Sequence, residues 1–187
     1  MTREPEPDPL FARLREAFLS PRRSMRRGLE ENWGPKERWL MVAAGGLINA
    51  LVFRLLLASS PEALALLAQV GKGGFYFSLA MATLLQYGLV SGLINLAGRF
   101  TGGAATPEQG RSVAAWWTLV SALLTPLSLI PLSLVAMFAF VANFALLAAY
   151  VTEAQRYRSL AATMAAVASV ALLLGMLMLS LLQAAPA

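Results

Sequence analysis

Six polar side chains interrupt or border long apolar stretches of this chain: Asn49, Arg54, Gln86, Asn95 and Asn143 within them, and Glu153 at the edge of one. Polar groups in hydrocarbon are expensive, so these are the first places to look for chemistry. Paired charges at mid-depth would suit ion or proton movement, and a nucleophile beside a base would suit hydrolysis. Neither set can be assembled. Asp8 is the single aspartate, Lys36 and Lys72 lie outside the apolar stretches, and the chain has no His and no Cys. The usual ligands of zinc, copper and haem iron are therefore missing, as are the usual general base and the thiol nucleophile. Gly71-Lys72-Gly73 lacks the spacing and the following Ser or Thr of a phosphate loop. No catalytic, cofactor-binding or metal-binding residue is assigned, and none is expected. Single amides in such settings are expected to hydrogen-bond between helices, at roughly 0.6 kcal/mol each.

The elements that position these groups follow from composition. Of 187 residues, 58% are hydrophobic and 13% charged, against roughly 45–50% and about 25% in soluble domains. With a mean hydropathy of +0.63, the excess must face lipid. The fold class expected is all-α, a polytopic membrane bundle of five transmembrane helices preceded by a basic amphipathic segment.

Residues 1–37 form that segment, which carries no secretory-signal pattern. Leu10, Phe11, Leu14, Ala17 and Phe18 recur at helical spacing and predict a short amphipathic helix on the membrane surface. Ser20-Pro21 reads as the start of a second helix carrying Arg22, Arg23, Arg26 and Arg27. These four are the candidate contacts to anionic lipid or a partner, at about 1 kcal/mol per basic side chain near a membrane surface. No nucleic-acid partner is expected.

The transmembrane domain is expected over 38–184, with spans at about 38–58, 75–97, 112–130, 132–152 and 160–182. Arg54 lies near the far end of the first span, where it can snorkel outward. Residues 59–74 read as a loop with an interfacial turn or helix. Gly88 and Gly92 in the second span, and Ala171 and Gly175 in the fifth, are small-residue pairs that would let another helix approach. Thr106-Pro107 with Gln109 has the form of a capping box opening the third span. No charge occurs from Ser112 to Thr152; one helix of that length would extend about 60 Å, twice the hydrocarbon thickness of about 30 Å. Pro126 and Pro131 therefore mark a reversal, expected between them, that separates the third span from the fourth.

Thirteen Arg and two Lys make up the basic residues, and nine of the fifteen precede the first apolar run. The connections bounded by Arg99 and Arg111, and by Arg156 and Arg158, alternate with regions poor in positive charge. That alternation predicts an odd number of spans, the N-terminus in the cytoplasm and the C-terminal tail outside.

Beyond the residue chemistry, the glycine pair, Thr106-Pro107-Glu108-Gln109, Val113-Ala114-Ala115-Trp116, the proline-broken hairpin, Asn143-Phe144 and Glu153-Ala154-Gln155-Arg156-Tyr157-Arg158-Ser159-Leu160 follow one another in order. This order, over roughly residues 85–182, resembles bacterial members of the Yip (Ypt-interacting protein) family. Gln155 and Arg156 depart from that pattern, which has a polar or His position between the glutamate and an aromatic. The resemblance implies five spans, a cytoplasmic N-terminus and no catalysis. Eukaryotic relatives are linked to small GTPases and to membrane traffic or shaping.

The function expected is non-enzymatic: a bacterial inner-membrane protein that organises membrane or partner proteins through helix packing and a basic cytoplasmic face. An accessory subunit of a larger respiratory or photosynthetic complex is the alternative within that class, and a small-solute transporter or channel the alternative outside it. Membrane lipids and other membrane proteins, or a second copy, are the expected partners, without a cofactor.

Overall fold

Prolines punctuate this chain into helices, because a proline at the first helical position gives up an N–H that has no intrahelical partner anyway. The computed structural model describes residues 10–58, 61–130, 133–164, 166 and 167. Helix α1 covers Leu10–Leu19, α2 Pro21–Glu30, α3 Pro35–Ala58, α4 Pro61–Thr101, α5 Pro107–Ala122 and α6 Ser133–Gln155. Four of the six open on proline. Residues 160–164 begin a further helix, with the Ser159 hydroxyl accepting from the Ala162 amide at 3.2 Å.

Helix α5 is the centre of the bundle. Val113, Ala114, Ala115, Trp116, Thr118, Val120, Ser121 and Ala122 are all buried, as a helix packed on every side must be. Helices α3, α4 and α6 surround it, while α1 and α2 fold as a hairpin onto one end, chiefly against α6. On the outside the usual pattern inverts. Leu47, Leu85, Leu89, Leu134 and Phe138 are exposed, which is the surface hydrocarbon solvent demands.

Among the described residues, three helical stretches are long and apolar enough to cross a membrane: Pro35–Ala58, Gly71–Thr101 and Leu134–Gln155. They overlap the first, second and fourth expected spans. The third, expected at 112–130, is divided. Helix α5 stops at Ala122, and a 3-10 turn over Thr125–Leu129 follows, because Pro126 cannot donate to a continuing helix. The reversal thus begins before Pro126 rather than between the two prolines. The capping box at its other end forms as expected, with the Gln109 amide donating to Thr106 Oγ1 at 3.2 Å and the Thr106 amide to Gln109 Oε1 at 2.9 Å. Most of the fifth expected span, including Ala171 and Gly175, lies outside the described residues.

Within residues 59–74, where a loop with an interfacial turn or helix is expected, residues 61–70 are helical and run into the second expected span through a kink at Gly71 (φ 73, ψ 156). That combination is open essentially to glycine alone.

Helices in lipid gain little from apolar burial and rely on close backbone approach. A Cβ on Gly45 of α3 would meet the Thr118 carbonyl oxygen of α5 at 2.7 Å, and one on Gly46 would touch the Thr83 side chain of α4 at 3.3 Å. One on Gly110 of α5 would meet Asn95 Oδ1 of α4 at 2.3 Å. Gly88 and Gly92, one of the two expected packing pairs, meet nothing within 4 Å among the described residues; the close approaches within the described bundle are made by other glycines.

Gly45→Val is expected to lower stability by about 1–3 kcal/mol, the range for overpacking a tight contact. Gly73→Ala, at a helical position with nothing within 4 Å, is expected to be neutral or to stabilise by up to about 1 kcal/mol. Thermal unfolding of the detergent-solubilised chain by circular dichroism measures both.

Candidate functional site

The N-terminal hairpin and the end of α6 together bring the strongest concentration of charge to one end of the bundle. Arg22 and Arg26 are four residues apart on α2 and so share a face. That face is turned to Glu153, in the last turn of α6: Arg22 Nε lies 3.1 Å from Oε2 and Arg26 Nε 2.6 Å from Oε1. A carboxylate at a helix C-terminus is opposed by the helix dipole. Two guanidiniums, one to each oxygen, offset that opposition. The Glu153 side chain is only 11% exposed, whereas Arg26 remains 62% exposed.

The rest of the hairpin is held by the same means. Arg13 grips Glu31 through both terminal nitrogens at 2.7 and 2.8 Å, Arg23 pairs with Glu16 at 3.1 Å, and Arg27 reaches Glu31 at 3.4 Å. All four arginines expected to face lipid or a partner are therefore engaged within the chain, yet each keeps much of its surface free. Apolar contacts seat the hairpin as well. Ala17 and Met25 are fully buried, Tyr150 donates to the Ala17 carbonyl at 3.3 Å, and the Trp33 ring packs on Trp116 with centroids 5.3 Å apart. Gly28 makes room for Trp33, since a Cβ there would lie 2.3 Å from the indole.

Two residues beyond Glu153, Gln155 is 2% exposed and spends its amide on the backbone of another helix and its loop. Nε2 donates to the Ile94 carbonyl of α4 at 2.8 Å, and Oε1 accepts from the Ala105 amide at 3.1 Å. The Gln155 carbonyl accepts from the Ala104 amide at 3.2 Å. Space for this amide exists because Gly98 and Gly103 carry no side chain; their Cβ atoms would approach it to 2.6 and 2.0 Å. Gly102 (φ 68) ends α4 in the left-handed conformation and Gly103 donates to the Gly98 carbonyl at 2.8 Å, a Schellman closure. Arg156 adopts φ 56 immediately after α6, an uncommon conformation for a side-chain-bearing residue.

The remaining candidates are dispersed. Asn49 Oδ1 accepts from Thr125 at 2.8 Å and ties α3 to the 3-10 turn. Arg54, expected to snorkel outward, donates to Tyr76 at 2.9 Å and joins α3 to α4. Gln86 is half-buried on α4. Asn95 Oδ1 and Asn143 Oδ1 are buried without a hydrogen-bond partner among the described residues. The Asn143 carbonyl accepts from Trp117 at 3.3 Å. No cluster of acidic, His or Cys residues able to hold a metal occurs among the described residues.

Sequence reasoning missed two participants. Arg38, expected at the start of a span, is buried and donates to the Glu108 carbonyl at 3.3 Å. Gln155 was visible only as a departure from a pattern; the glycines at 98 and 103 were the signal that something must pack against them.

Glu153→Gln should loosen the hairpin, so that trypsin cleaves after Arg22, Arg23, Arg26 or Arg27 about tenfold faster, the factor that 1.4 kcal/mol supplies. Adding Arg26→Gln to that variant should change the rate little further, because the partner is already gone. For the amide clamp, Gln155→Ala leaves a buried donor and acceptor unpaired and should cost about 1–3 kcal/mol. Gly103→Ala should cost less in the Gln155→Ala background than alone, a coupling that a double-mutant cycle of thermal unfolding reads directly.

The Yip1 domain family model matches residues 15–182. No curated protein and no solved structure matches the chain.

Proposed function

Since the chain belongs to the Yip1 domain family, we propose that it is a non-enzymatic membrane organiser that threads the bilayer five times, with the basic hairpin on the cytoplasmic face. The bacterial inner membrane is its location in this reading, and its partners are lipids together with other membrane proteins or a second copy. The observation that supports it best is the docked hairpin. Arg22 and Arg26 are bound to Glu153, so α2 is fixed to the bundle and its cationic surface is held at a set height beside the lipid headgroups. A freely jointed basic tail would attract anionic lipid without orienting anything; a fixed one does both.

A role as an accessory subunit is favoured by a separate observation. Gly88 and Gly92 lie on an exposed strip of α4 with nothing opposite them among the described residues, flanked by exposed Leu85 and Leu89. Such a strip suits close approach by a helix of another chain.

The absence of native cysteine makes single-cysteine probes clean. Arg27→Cys is expected to stay unlabelled by a membrane-impermeant maleimide in intact cells and Ala187→Cys to be labelled; labelling of both or neither overturns the odd-numbered threading. Gly88→Cys, oxidised in native membranes, is expected to yield one discrete crosslinked species, either a dimer or a 1:1 adduct. A purely monomeric result would remove the packing role of this strip.

A further inference from the structure

Helices α4 and α6 each pack on α5 and share little direct contact with one another. Between them, and bounded on the third side by Ser159, Ala162, Thr163, Ala166 and Val167, lies a groove of about 740 Å³, within the roughly 300–1,000 Å³ of small-molecule sites. We infer that this groove holds one acyl chain of a glycerophospholipid from the leaflet on the basic side, with the lipid phosphate at Arg158. The inference deepens the lipid part of the reading above by naming a site, and the crosslinking there can fail while the test below succeeds.

Depth selects the occupant. The groove runs along α4 from Val90 to Thr101 and along α6 from Phe140 to Val151, eleven helical steps or about 16 Å on each. That is close to half of the hydrocarbon thickness of about 30 Å, so it accommodates the tail of one leaflet's lipid and is too short for a spanning helix.

The polarity of the two ends agrees. Val90, Phe140, Phe144 and Val167 form the inner end, whereas Thr101, Tyr157, Arg158 and Ser159 form the rim. Thr101 and Tyr157 hydrogen-bond to each other across it and hold the two walls together. Arg158 is exposed and makes no ion pair among the described residues, unlike Arg13, Arg22, Arg23, Arg26 and Arg27 of the hairpin. A guanidinium beside hydroxyl groups at the mouth of an apolar trough matches a phosphate ester carrying a hydrocarbon tail. Ala97 and Ala162 line the trough and are themselves exposed, so the groove opens sideways, the direction from which a membrane lipid arrives.

The test is native mass spectrometry of the full chain in mild detergent, titrated with palmitoyl-oleoyl phosphatidylglycerol. One lipid per chain should persist after activation removes the detergent. Ala97→Phe and Ala162→Trp, which fill the trough from opposite walls, should each abolish that adduct, with near-ultraviolet circular dichroism of the Trp33–Trp116 pair reporting that the fold is kept. Arg158→Gln should weaken retention about tenfold, the loss of one charge-assisted hydrogen bond. Wild-type protein that keeps no lipid overturns the inference, as does equal retention by wild type and both filled variants. A lipid-free dimer dispersed by Ala162→Trp also overturns it and gives the groove to a second copy.

Discussion

Glu153 and Gln155 tie three separate parts of this molecule to one helix end. The carboxylate fixes the N-terminal hairpin through two guanidiniums, and the buried amide fixes the end of α4 together with the turn that leads into α5. The constraint behind both is the same. Where water is scarce, a charge or a peptide group has to find its partner within the protein, and each unpaired one costs several kcal/mol. One short stretch of α6 supplies partners to groups drawn from residues 22 to 105, so its geometry decides where the first half of the chain ends up.

Much of this architecture was legible in the sequence, and the legible parts share a property: their causes are local. The amphipathic spacing before Ser20, the proline at the start of α2 and the Thr106–Gln109 capping box each involve residues within a turn or two of one another. The reversal near Pro126 was legible for the same reason, though placed a few residues late, because a proline disturbs the turn that precedes it. The family resemblance, drawn from the order of short motifs between residues 85 and 182, agrees with the Yip1 domain match over residues 15–182.

What escaped was the long-range pairing. Gly88 and Gly92 have the spacing of a packing motif, yet spacing does not say which face of α4 meets α5; they lie on its exposed face, and the close approaches to α5 are made at Gly45 and Gly110. The basic run on α2 read as a surface for anions from outside; that Glu153 lies opposite Arg22 and Arg26 depends on a fold that closes more than a hundred residues of chain. Gln155 was inconspicuous for a related reason, since its role is to fill a space left by glycines about 50 residues earlier.

The kink at Gly71 carries a consequence of its own. With backbone angles there that only glycine holds comfortably, the helical register of residues 61–70 is uncoupled from that of the span beginning at Lys72. The leading segment can therefore change its tilt without turning that span. Changes in its length would leave Tyr76 and its bond to Arg54 where they are, so this stretch can vary without disturbing the packed helices that follow it.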